Sequence, residues 1–127
     1  MSIFSRLFGG ARQPDLWNIG QALTPGGTVM FDDDQVVRTL PGGKKESVRW
    51  DDLQEVRILT TDRGPVEDDV FWLLVGISGK CAAPSEAQGT DELVKRLQKL
   101  PGFKNEMLIK AMASADNAAF VCWKRGD

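Results

Sequence analysis

The sequence predicts an α+β domain: antiparallel strands in a meander, then two C-terminal helices and a final strand. Two observations carry this. From Thr24 to Ala83, short runs rich in β-branched residues are bounded by turn chemistry at Thr24-Pro25-Gly26-Gly27, Asp32-Asp33-Asp34, Pro41-Gly42-Gly43 and Ser78-Gly79. After Pro84 the apolar period changes from two to 3.6, and it becomes strand-like again at Ala118. The strand connections are too short for a parallel crossover, so the pairing is antiparallel, giving a sheet of five to seven strands with the helices on one face. The 127 residues fit one domain over 14–127, preceded by a flexible or short helical segment over 1–13.

Strands are expected at 28–31, 35–40, 44–50, 53–61, 70–77, 80–83 and 118–124. In 44–50 the alternation places Glu46, Val48 and Trp50 on one side and Ser47 and Arg49 on the other. Val70 to Ile77 is almost wholly apolar, the mark of a strand covered on both faces. Thr90 is the expected N-cap of a helix running to Leu100, with Asp91 and Glu92 in its first turn and Lys95, Arg96 and Lys99 later, as the helix dipole favours. Its buried stripe is Leu93, Leu97 and Leu100, and Pro101-Gly102 ends it. A second helix over 105–114 is expected to bury Met107, Leu108, Ala111 and Met112.

The 16 basic and 18 acidic residues give a net charge of −2, poor equipment for coating a phosphate backbone, so nucleic acid is not an expected partner. Residues 32–69 hold eleven acids against six bases, and an electrostatic partner there would be basic. The chain has no histidine, which removes the commonest general base and any Ser-His or Cys-His pair. Cys81 and Cys122 stand apart among apolar neighbours and read as free, buried thiols in a cytoplasmic protein. No glycine-rich nucleotide loop and no metal-ligand spacing occurs, so no cofactor or metal is expected.

At Ser47-Val48-Arg49-Trp50-Asp51-Asp52-Leu53-Gln54-Glu55-Val56 the chain resembles small bacterial PH-like domains, in which a tryptophan closes a strand and an acidic turn leads into the next. The resemblance covers about residues 28 to 83 and implies a PH-like meander. A PH-like domain ends in one helix, whereas two helices and a strand are read here. The whole chain is similar to small proteobacterial domains of unknown function, which implies no activity.

The loop residues Asp62, Arg63, Glu67, Asp68 and Asp69, just before the most apolar strand, are the expected partner-binding site, since functional contacts concentrate on loops. The function expected is non-catalytic binding of an unidentified protein. A toxin-neutralising immunity protein is the more specific form, and a carboxylate-using enzyme the alternative from another class. Ile3, Phe4, Leu7 and Phe8, at helical spacing beside Arg6, form a lesser candidate for membrane contact. Trp72 and Trp123 are assigned to the core, Trp17 is a candidate interface anchor, and Lys124-Arg125 reads as a solubilising basic tail.

Overall fold

The computed structural model describes residues 26–61, 70–114 and 116–126. Among these residues, seven strands and two helices run β1 (Thr28–Phe31), β2 (Gln35–Thr39), β3 (Lys45–Arg49), β4 (Leu53–Thr60), β5 (Val70–Gly76), β6 (Lys80–Pro84), α1 (Thr90–Leu97), α2 (Asn105–Met112) and β7 (Ala118–Lys124). The fold is α+β with antiparallel pairing throughout the strands, and β7 returns to the sheet after the helices. The strands do not form one sheet. They divide into a three-stranded sheet, β1-β2-β3, and a four-stranded sheet in the order β6-β5-β4-β7.

The division falls after Arg49, where a 3-10 turn over Trp50–Asp52 redirects the chain into β4. The inner face of the small sheet (Val29, Val36, Val48) packs with Val56, Ile58, Trp72 and Leu74 of the large sheet and with Leu93 and Leu97 of α1 in one core. Burial of a leucine such as Leu93 or Leu97, both fully enclosed, contributes about 1.5–3 kcal/mol. On β5, Phe71 to Leu74 are buried on both faces, as the unbroken apolar run predicts.

The two sheets are stitched by side chains. Arg38 and Glu46 are cross-strand partners on β2 and β3. Arg38 is fully buried, and its Nη1 donates to the carbonyl of Ala82 at 2.9 Å, while Glu46 Oε1 accepts from the Ala82 N–H at 2.9 Å. The free edge of β6 is thereby satisfied at Ala82 without a backbone ladder.

Local chemistry at the start of α1 differs from the expected cap. Gly89, at φ +96°, is the N-cap, and Thr90 is the first helical residue. The Thr90 hydroxyl donates instead to the Pro84 carbonyl at 2.7 Å, in a buried setting. A Cβ at Gly89 would meet the Val29 carbonyl oxygen, so the loop's close approach to β1 requires glycine there as well as the positive φ. Leu100 lies beyond the end of α1 yet still packs on the core. Met112, expected to be buried, is 54% exposed. It sits about 100° further round α2 than buried Ala111, past the edge of the contact with β7. No helix among the described residues is long and apolar enough to cross a membrane.

Candidate functional site

The expected loop residues Asp62, Arg63, Glu67, Asp68 and Asp69 lie outside the described residues, as do Ile3, Phe4, Leu7, Phe8 and Trp17. Within the described residues a cleft of about 350 Å³ opens where three distant parts of the chain meet. The β3–β4 corner supplies Trp50 and Leu53. The end of α1 and the turn after it supply Arg96, Leu100 and Pro101. The end of β7 supplies Trp123, Lys124, Arg125 and Gly126.

A β-bulge brings Trp123 to this place. Ile58 pairs with Phe120 and Arg57 with Val121, but Val56 pairs with Trp123, so β7 holds one extra residue, Cys122. Side chains alternate between faces along a strand, and one extra residue reverses the alternation beyond it. Trp123 therefore shares the face of Val56, Phe120 and the helices. Its indole N–H donates to the Pro101 carbonyl at 2.7 Å, and it forms the mostly buried floor of the cleft.

Trp50 forms the half-buried wall. It leaves β3 in the 3-10 turn, its indole N–H donates to the Asp32 carbonyl at 2.8 Å, and Phe31 meets it edge-on at 6.3 Å. The turn that supplies this carbonyl is held by Asp32 Oδ1, which accepts from the N–H groups of Asp34 and Gln35. Those two backbone bonds, to Asp34 first and then to Gln35, hold the exposed Asp32 carboxyl below its ordinary pKa. The Asp-Asp-Asp turn thus spends its first carboxylate on its own backbone.

Among the described residues, three cations line the cleft and no acidic side chain does. The Arg96 guanidinium lies 4.3 Å from the centre of the Trp50 ring, and that of Arg125 lies 5.5 Å from the centre of Trp123. Arg125 also donates through Nε to the Leu53 carbonyl at 2.7 Å and through Nη2 to the Trp50 carbonyl at 3.0 Å. It is a structural tie as well as a charge, not the solubilising residue its position implied. Arg96 and Lys124 make no ion pair among the described residues. A smaller hollow of about 200 Å³, lined by Gln54, Glu55, Val75 and Gly76, adjoins the cleft across Lys124 and Arg125.

The chemistry available is recognition. Both indole N–H groups are committed to carbonyls, which leaves ring surface for apolar contact and guanidinium and ammonium groups for an anion. Among the described residues no group of three or more metal-ligating side chains is present. The two cysteines are buried and unpaired with each other, and neither lines the cleft. Trp123 belongs to the buried core as expected, but its place in a cleft was not foreseen, and Lys124 and Arg125 were expected as a basic tail and Arg96 only as a cation late in the first helix. The available signal was the acidic turn after Trp50, which marks a corner but does not show what the corner faces. Comparison with family models, with curated proteins and with solved structures finds no match for this chain.

Proposed function

We propose that this chain is a non-catalytic protein-binding module whose partner seats in the Trp50–Trp123 cleft. One observation carries the reading: half-buried Arg96, stacked on Trp50, faces an open cleft and, among the described residues, has no carboxylate partner there and no acid in the cleft lining. A cation held over an aromatic ring is oriented at low entropic cost and keeps its N–H edge for an incoming group. Tryptophan and arginine are also the residue types most enriched where interfaces concentrate their energy. The cleft's size falls at the small end for binding pockets, which suits one anchoring side chain and its neighbours.

Affinity capture from the native source, with wild-type protein and an Arg96→Glu/Lys124→Glu variant of equal thermal midpoint, tests this. The wild type is expected to retain a stoichiometric protein partner that the charge-reversed variant loses. A partner retained equally by both moves the binding surface elsewhere.

A further inference from the structure

We infer that the feature recognised in the cleft is an acidic peptide segment, with a carboxylate on Arg96 and Lys124 and an adjoining apolar side chain against Trp50. This rests on the cleft being the partner site, and it adds the chemistry of the partner. The whole protein carries a net charge of −2, so a general attraction for anions is not available to it. Among the described residues the cleft lining holds three cations and no acid, which gives it local positive charge. Arg125 already gives two of its N–H groups to the carbonyls of Leu53 and Trp50, and its part is to hold the wall and add charge. Arg96 and Lys124 are the cations left to meet a ligand.

A guanidinium presents parallel N–H groups that match a carboxylate. The stacking of Arg96 on Trp50 fixes that fork beside an indole whose own N–H is occupied by Asp32. An anion bound there therefore lies next to ring surface, not next to a competing donor. That pairing of fixed charge and apolar wall favours a carboxylate with an apolar neighbour over a bare anion. The sign is opposite to that of the acidic residues 32–69, where a basic partner is expected: the cleft-facing charge comes from 96, 124 and 125 instead.

The test uses the full chain labelled with nitrogen-15 and follows the indole N–H resonances of Trp50 and Trp123. The probes are a set of capped pentapeptides with a central leucine or phenylalanine flanked by Asp and Glu, the same set with Asn and Gln, and inorganic phosphate. The acidic peptides are expected to shift both resonances saturably, the amide peptides at least about tenfold more weakly, as loss of charge-assisted hydrogen bonds implies. Arg96→Gln and Lys124→Gln, each checked for an unchanged thermal midpoint, are each expected to weaken the acidic peptides about fivefold or more, and added salt to weaken them further. Amide peptides that bind as well as acidic ones overturn the carboxylate, leaving an apolar-segment site. Phosphate that matches the peptides overturns the peptide in favour of a small-anion site. If no probe shifts either resonance while charge reversal still abolishes partner capture, the acidic-peptide inference fails and the cleft reading stands. If capture is also indifferent to charge reversal, both fail.

Discussion

Burial decides the chemistry of single residues here, and the cysteines show it best. Cys81 lies on β6 with Glu46 and Arg38 close by, and burial first, then the Glu46 charge, pushes its thiol up to about 12, with Arg38 opposing. Burial, with a smaller contribution from Glu106, pushes Cys122 up to about 11. The thiolate is the nucleophile, so both thiols are silent near neutrality. The native protein is expected to release no chromophore from a disulfide reagent at pH 8 and to react at both of its two cysteines once unfolded; fast reaction of the native chain would contradict the burial argument. The pH dependence follows from the same shift. The folded thiol pKa lies above the unfolded value of 9.0, so from pH 9 to about 12 the folded state holds more protons than the unfolded state. This contribution to stability is complete below pH 9 and declines above it. The alkaline fall in thermal midpoint should be shallower in Cys81→Ala than in wild type, and an unchanged slope would show that Cys81 titrates normally.

At the scale of elements, the telling feature is how β6 ends a sheet. An edge strand normally leaves its outward N–H and carbonyl groups to water or to another chain. Here the carbonyl and N–H of Ala82 are taken by Arg38 and Glu46, so a cross-strand pair of one sheet substitutes for a ladder of the other. Arg38 also donates to the Gly26 carbonyl at 3.0 Å. Arg38→Met keeps most of the side-chain volume but removes those charge-assisted bonds, for an expected loss on the order of 2–4 kcal/mol. Glu46→Ala leaves the Ala82 N–H without that acceptor and is expected to cost about 1–3 kcal/mol. Because both act on one residue of β6, the double variant should lose less than the two single losses added, by about 1 kcal/mol in denaturant unfolding. Strict additivity would mean that the two side chains act independently and that the edge is not jointly clamped. The alternation in 44–50 placed Glu46 on one side with Val48 and Trp50, and that much was legible. Its bond to another sheet was not, because period-two patterning assigns a face and not a neighbour.

The whole molecule brings together what the sequence keeps apart. The succession of strands along the chain, the two helices and the return of β7 were legible, though not the division into two sheets, because each depends on local pattern: turn residues between strands, leucines at helical spacing in α1, an unbroken apolar run in β5. The cleft was not, for two physical reasons. Ala118 to Lys124 has no polar alternation to mark its faces, so the bulge at Cys122 that turns Trp123 inward leaves no trace in composition. Arg125, adjacent to Lys124, looks like any surface cation until topology sets it against the β3–β4 corner. There it grips the carbonyls of Leu53 and Trp50, while its own N–H donates to the Gln54 carbonyl at 2.9 Å. The Trp50 carbonyl also accepts from the Leu53 N–H that closes the 3-10 turn. The guanidinium thus fastens the end of β7 to the turn that carries Trp50, and cleft shape depends on that fastening. Arg125→Ala is expected to cost about 1–2 kcal/mol, as two partly solvated bonds from a cation to backbone carbonyls imply. Arg125→Lys should recover less than half of it, since one ammonium cannot reproduce the geometry of a planar fork. Hydrogen exchange separates a local role from general weakening. The amides of Leu53 and Arg125 should exchange faster in Arg125→Ala, while those of Leu93 and Leu97 in α1 change only as far as global stability does. If Arg125→Lys matches wild type in both stability and exchange, the two-carbonyl grip is not what holds the cleft walls together.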